Sequence, residues 1–444
     1  MSYLYEPAAY TPDIWPESYW RASSPALPPC PTLTGPVTAD VAIIGAGYAG
    51  LNAALELRER FGAEVVVLDA AAPGWGASGR NGGFCCLGGA NLSPAQITRR
   101  VGALAAPEFD SYQQRAIDRV ADNLARYGID ADRGPAGEVL LAHSARTWAA
   151  MQAQQGADGV QLWGRAALRD AGLNCATAWG GTYRPEGFPL HPLKYARGLA
   201  VAAQAAGVRI YGDSPVKTLD HANGLWSLRT GAAQVQARRV LIATNGYSDE
   251  RLPRWLSRRI LPALSTIIVT RPLSLAEREA QGWTSHLMTY DSRTMLHYFR
   301  LLPDGRFLFG ARGGVSAQPE RLARFTARAR AEFEAMFPAF AQAETTHDWS
   351  GLVCLTGSMA PFCGPVPGAE GLFAALGWHG NGVAAASEGG RRIAPALMGL
   401  PDTTPALFKR PPPRFPLPRK LLLRAGMAAA LWRDGPLRPA PEEA

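Results

Sequence analysis

No uninterrupted apolar run in this 444-residue chain reaches the ~18 residues a membrane-spanning helix needs. The first residues, with Glu6 and Asp13 among them, lack the basic-then-apolar order of a secretory signal, so a cytoplasmic location is expected. There is no internal repeat, which sets aside repeat architectures. Cysteine is sparse: Cys30, Cys85, Cys86, Cys175, Cys354 and Cys363 form no Cys-x-x-Cys and no Cys/His spacing. They read as reduced thiols, with no metal site expected. Charge is only mildly one-sided, 45 basic against 37 acidic residues for a net of +8, and the excess is arginine in 321–330 and basic residues in 409–424. No nucleic-acid-binding module accompanies it, so no nucleic-acid partner is expected, and 327–337 reads as an amphipathic helix with a solvated face.

Glycine, by contrast, is plentiful at 47 residues, and its placement carries the reading. Ala39-Asp-Val-Ala-Ile-Ile-Gly-Ala-Gly-Tyr-Ala-Gly-Leu51 is followed one helix length later by Glu64-Val-Val-Val-Leu-Asp69. This is a buried strand, a glycine turn, a helix and a second buried strand ending in a carboxylate, the order a dinucleotide needs. Gly45 allows a sharp turn, Gly47 clears space for a pyrophosphate, and Gly50 lets the helix that begins at Tyr48 and Ala49 pack closely on the strand. The pyrophosphate then meets a helix N-terminus, where free N–H groups and the dipole favour negative charge. Asp69 is placed to accept ribose hydroxyls and disfavours a 2′-phosphate, which leaves FAD or NAD.

The next segment decides between them. Ala70-Ala-Ala-Pro-Gly-Trp-Gly-Ala-Ser-Gly-Arg-Asn-Gly-Gly-Phe84 is a loop long and flexible enough to wrap a second ligand body. Together with the first motif it resembles the FAD-binding segment of the D-amino-acid oxidase superfamily, and Gly76-Ala-Ser-Gly-Arg-Asn-Gly-Gly83 is most similar to the γ-glutamylputrescine oxidase branch. The resemblance implies that Ser78, Arg80, Asn81 and Gly82 line the pyrophosphate and flavin.

The resemblance extends over most of the chain. Ser18-Tyr-Trp-Arg-Ala-Ser23 resembles the family's N-terminal arm, His191-Pro-Leu-Lys-Tyr195 a helix start, and Arg238-Arg-Val-Leu-Ile-Ala-Thr-Asn-Gly-Tyr247 a second flavin-contacting strand and turn, which brings in Thr244, Asn245 and Gly246. Met295-Leu-His-Tyr-Phe-Arg-Leu301 with Gly305-Arg-Phe-Leu-Phe-Gly310 is similar to the hairpin over the flavin. Gly377-Trp-His-Gly-Asn-Gly-Val383 is similar to the C-terminal flavin motif, adding Gly377, Gly380, Asn381, Gly382 and Val383. Read from the residues alone, Val240-Leu-Ile-Ala243 and Leu372-Phe-Ala-Ala-Leu376 are short buried strands emptying into glycine turns, as at a ligand crevice. Amides at the helix start after Gly382 suit the negative charge of a reduced flavin.

The implied activity is FAD-dependent oxidation of a small-molecule amine, with oxygen or an electron carrier as acceptor. His379, Tyr298, Trp378, Arg300 and His297 are the candidate catalytic residues. His297 and Tyr298 equally suit a hairpin core, and His191 suits a helix cap. The family's carboxylate-binding arginine is absent: Trp349-Ser-Gly-Leu-Val353 has valine there, which favours an amine over an α-amino acid. Cys354 lies where related sarcosine oxidases tether flavin covalently, although a buried apolar cysteine, and hence non-covalent FAD, is the preferred reading. A dehydrogenase feeding a carrier or quinone and a non-catalytic flavin-binding protein stay open as alternatives.

The expected fold is an α/β FAD-binding domain, Rossmann-like and three-layered, with an α+β substrate domain on a mostly antiparallel sheet. The boundaries expected are an arm at 1–36; FAD-binding segments at 37–105, 190–255 and 345–400; substrate segments at 106–189 and 256–344; and a tail at 401–444. In the tail, 421–432 reads as a surface-packed helix or as a helix lying on a membrane surface.

Overall fold

Alternation along one strand builds the first unit. In Val37–Ile44, Val41 and Ile43 face one apolar cluster while Ala42 and Ile44 face another, because successive side chains of a strand point to opposite sides. The computed structural model describes residues 3–441 except 28, 154–158 and 232. Parts of the expected arm (1, 2 and 28), substrate domain (154–158), FAD-binding domain (232) and tail (442–444) lie outside the described residues.

The first sheet runs Phe362–Pro365, Leu372–Leu376, Ala233–Ile242, Val37–Ile44, Val65–Leu68, Arg209–Tyr211. Its pairings are parallel except at the Phe362–Pro365 edge. Helices Tyr48–Phe61, Pro192–Ala205 and Gly382–Leu397 cover one face. Strands Val216–Ala222 and Leu225–Thr230 extend the sheet antiparallel and bring Trp226 and Leu228 to the other. Ile44 is in register with Leu68 and with Ile242. The glycine turn at 45, Asp69 and the Thr244 turn therefore leave the sheet at one edge, the crevice where open α/β sheets take ligands.

The second sheet has the order Thr345–Thr356, Ile260–Pro272, Arg306–Arg312, His297–Leu301, Met288–Asp291, Glu138–Leu141, Gly181–Arg184, Gln161–Trp163. All its pairings are antiparallel except that of Met288–Asp291 with Glu138–Leu141. Pro319–Met336 packs on it through Ala329, Phe333 and Met336, the buried side of the amphipathic pattern at 327–337.

Two segments differ in placement from the expected boundaries. Thr345–Thr356, grouped by sequence with the FAD-binding segments, pairs along its whole length with Ile260–Pro272 of the second sheet. Ala105–Arg126, grouped with the substrate segments, packs Phe109, Tyr112 and Ala116 into the helical layer of the first. The strand is placed by its backbone pairing and the helix by its apolar face. The tail helix Arg419–Asp434 docks through Asp434, whose carboxylate accepts the Thr294 and Met295 N–H groups at 2.9 and 2.8 Å, while Leu421 and Trp432 are exposed. Among the described residues no helix is long and apolar enough to cross a membrane.

Candidate functional site

The glycine turn does what its spacing requires. Gly45 has φ +109°, and a Cβ there would lie 2.9 Å from the Ala243 carbonyl; one on Gly50 would lie 2.0 Å from Gly45 O. Gly47 caps the helix Tyr48–Phe61 without a side-chain hydrogen bond of its own. Asp69 ends the second strand and accepts the Ala46 N–H at 2.6 Å and the Ala71 N–H at 3.0 Å, one on each oxygen. Burial pushes its carboxyl up to about 6 against the lowering effect of those two amides. Each oxygen keeps a lone pair for a further donor.

The loop after Asp69 is held from behind. Three successive carbonyls each receive a donor from a different part of the chain: Arg80 O from Trp349 Nε1 at 2.9 Å, Asn81 O from Trp20 Nε1 at 2.8 Å, and Gly82 O from Arg300 Nε at 3.1 Å. The Ser78 hydroxyl accepts the Tyr48 N–H at 3.0 Å, and the Asn81 amide bonds back to Ala77 O and Ser78 O. The Arg80 guanidinium stacks on Trp75 at 4.3 Å and donates to Trp75 O, but its Nη2 is buried without a hydrogen-bond partner among the described residues.

The sequence candidates divide cleanly. A cavity of about 980 Å³ is bordered by Gly45, Gly47, Tyr48, Ala49, Asp69, Ser78, Arg80, Asn81, Gly82, Thr244 and Asn245, and by Trp378 through Val383. Gly50, Gly246 and Gly377 lie behind it as close-packing positions; Gly377 donates its N–H to Asn245 Oδ1 at 2.9 Å, joining two of the turns. Asn381 ties the last motif to the segment just after the 70–84 loop by donating to Leu87 O at 2.8 Å.

Of the candidate catalytic residues, Tyr298 and His379 reach the cavity as side chains with defined partners. Tyr298 OH is 2.9 Å from Ser265 Oγ, and burial pushes its pKa up to about 12, so it is a neutral hydroxyl. His379, at φ +51°, has Nδ1 facing the Asn91 amide nitrogen at 3.3 Å and Nε2 facing Thr356 Oγ1 at 3.1 Å. Burial lowers its pKa to about 4, leaving a neutral ring with both nitrogens engaged and neither free to take a proton. Trp378 borders the cavity, but its indole packs on Gly389 and Phe408.

Arg300 and His297 are not at the cavity. Arg300 supports the loop through Gly82 O and Leu190 O, and burial lowers its pKa to about 10. His297 belongs to a buried ionic cluster, with Nδ1 2.6 Å from Asp291 and Nε2 3.1 Å from Glu332. His191 caps Pro192–Ala205 by accepting the Lys194 N–H. Burial pushes the Cys354 thiol up to about 12, at the cavity wall.

Sequence reasoning passed over several cavity residues. Trp75 and Tyr247 sit inside the quoted motifs and signal themselves only as aromatics beside glycines. Ser265, Tyr290 and the arm residues Tyr3, Tyr10 and Asp13 carry no local signal at all. The residues present fit a dinucleotide: a glycine-cleared helix start, a carboxylate at the end of the second strand and a buried guanidinium N–H lacking an acceptor.

The family model for FAD-dependent oxidoreductases matches residues 40–396. The chain is 31% identical over 378 residues to the probable oxidoreductase OrdL of Haemophilus influenzae, covering 83% of this chain and 85% of that one. It is 30% identical over 426 residues to the gamma-glutamylputrescine oxidoreductase of Escherichia coli, covering 93% and 95%. Its fold is similar to that of glycine oxidase from Geobacillus kaustophilus, with TM-score 0.68 at 21% identity over 82% of this chain and 96% of that one.

Proposed function

Because the chain belongs to the family of FAD-dependent oxidoreductases, we propose that it oxidises the C–N bond of an amine, with a γ-glutamylated diamine or polyamine as substrate and oxygen as acceptor. The observation that carries this reading is one cavity bordered on one side by the nucleotide cradle at Gly47 and Asp69 and on the other by the Tyr298–Ser265 pair of the second sheet. The named activity of the Escherichia coli relative supports the substrate class.

In this reading the turns at 45–50, 78–82, 244–245 and 379–383 with Asp69 would hold FAD non-covalently, and the bound flavin would supply two-electron acceptor chemistry for oxidation of the carbon beside nitrogen. Tyr298 and Ser265 orient the substrate. His379 positions the last motif through Asn91 and Thr356, and the amine reacts in its neutral form. Val353 brings no charge to the cavity, unlike an arginine at that position. A cytoplasmic setting goes with this reading: the six cysteines are scattered with no Cys-x-x-Cys spacing.

The test is anaerobic bleaching of the yellow protein by γ-glutamylated diamines, free polyamines, D-alanine, glycine and sarcosine. The first two classes should reduce the flavin fastest. A small α-amino acid reducing it fastest overturns the amine assignment. Hydrogen peroxide released in air supports oxygen as acceptor, and bleached flavin that reoxidises only with an added carrier dye overturns that part.

A further inference from the structure

Glu138 opens the strand Glu138–Leu141 of the second sheet and is buried, 4% exposed. Register puts it opposite Met288 on one neighbouring strand and opposite Arg184 on the other. Side chains two apart on a strand share a face, so Glu138 lies on the same face as Tyr290, which is itself paired with Tyr298. That face is turned to the cavity, which Tyr290, Tyr298 and Arg312 border.

Glu138 stands behind this wall. The Tyr290 hydroxyl and, from the segment after Phe84, the Cys86 thiol hydrogen-bond its carboxyl. Burial holds both of those groups neutral. Among the described residues Glu138 Oε2 is nevertheless buried without a hydrogen-bond partner, as is Oε2 of the half-buried Glu186. Burial pushes the Glu138 carboxyl up to about 7, against the Arg184 charge and the Tyr290 hydrogen bond and with the Glu186 charge acting in the same direction as burial. A desolvated carboxylate with one oxygen unsatisfied is costly, and taking a proton relieves that cost. The carboxylates that border the cavity, Asp13, Asp69, Asp213 and Asp249, belong to the arm and to the loops of the first sheet, away from the Tyr298 side. His379 has both ring nitrogens engaged.

We propose that Glu138, acting through the Tyr290 hydroxyl, takes the proton that the substrate's ammonium group sheds before its C–N bond is oxidised. This rests on the reading of the cavity as the site of that oxidation. One N–H bond of the ammonium breaks and its proton passes to the Tyr290 oxygen, while the Tyr290 proton passes to Glu138. The nitrogen keeps the electron pair, so the net change is ammonium plus carboxylate to neutral amine plus carboxylic acid. Tyr290 is the group that touches the amine; Glu138 is a positioning residue behind it that stores the proton.

The test uses FAD-loaded protein in two arms. Infrared difference spectra between about pH 5 and about pH 9 should show a carboxylic-acid carbonyl band that is lost in Glu138→Gln and shifted in Tyr290→Phe. Its midpoint should move down in Glu186→Gln, which removes a like charge. In stopped flow, anaerobic flavin reduction by an amine that bleaches the parent should rise with pH and level off above a midpoint near 7. At neutral pH Glu138→Gln and Tyr290→Phe should be slower by roughly a hundredfold, and their rates should go on climbing toward the amine's own pKa. A merely structural Glu138 would change FAD affinity or stability and leave the shape of the profile alone. An unchanged profile in Glu138→Gln, or no Glu138 band in the parent, overturns the proposal. A profile altered in Glu138→Gln and not in Tyr290→Phe also overturns it, because the route through the hydroxyl is then wrong. The infrared arm needs no turnover: if no amine bleaches the flavin while the Glu138 band is present, the C–N reading falls and the Glu138–Tyr290 proton site stands.

Discussion

Trp20 donates its indole N–H to the carbonyl of Asn81 at 2.8 Å, linking the N-terminal arm to the middle of the flavin loop 61 positions away. The Trp20 ring is buried against Trp349 and His191, so the bond is shielded from water. The arm thereby holds in place the loop that, in the proposed reading, would cradle the cofactor.

Trp20→Phe should keep the packing and lose only this donor. A hydrogen bond of this kind contributes about 1 kcal/mol, so FAD affinity should fall roughly fivefold. The ranking of amines in flavin reduction should not change. Fluorescence titration of apoprotein with FAD measures the first, and an unchanged dissociation constant would remove the arm from the cradle.

Gly47 gives a sharper test of the nucleotide position. Its φ of −95° is ordinary, so the constraint is space alone: a Cβ would stand 2.9 Å from Ser78 Oγ. Gly47→Val should purify colourless yet folded, with an apoprotein melting temperature near that of the FAD-stripped parent. Full FAD occupancy in that variant would mean the pyrophosphate lies elsewhere.

Much of this cradle is legible in sequence because backbone sterics leave few alternatives at Gly45, Gly47 and Gly50. Side-chain direction on the hairpin is harder. Tyr298 is paired with Gly310 in His297–Leu301 and Arg306–Arg312, and alternation puts Tyr298, Arg300 and Arg312 on one face and His297 and Phe299 on the other. His297 and Tyr298 therefore cannot both face a flavin, a conclusion the period of two already contains. That Arg300 turns to Gly82 while Arg312 reaches the cavity depends on which loop lies opposite, and no local pattern records that. The arm's contribution through Trp20 likewise depends on packing across distant segments.

Cys354 should not carry the flavin. Its thiol, pushed up to about 12 by burial, stays protonated at neutral pH, and the thiolate is the nucleophile. Heat or acid precipitation should leave yellow FAD in the supernatant. Flavin retained in the pellet of the parent and absent from that of Cys354→Ser would establish a covalent link.

The His297 cluster predicts a pH signature of stability independent of turnover. Burial pulls the His297 pKa down, but the Asp291 and Glu332 carboxylates outweigh it and raise it from 6.5 to about 9. The folded state thus holds a proton that the unfolded chain releases earlier as pH rises. The contribution is fully present below pH 6.5 and is lost as pH climbs through about 9. Asp69, raised to about 6, titrates below this window. Urea midpoints should therefore fall between pH 6.5 and 9.5 in the parent and change much less in His297→Gln, which starts from a lower value because Asp291 and Glu332 lose the cation between them and keep only Arg293 and Arg328. Parallel pH curves for the two proteins would show that His297 is not the proton-holding group.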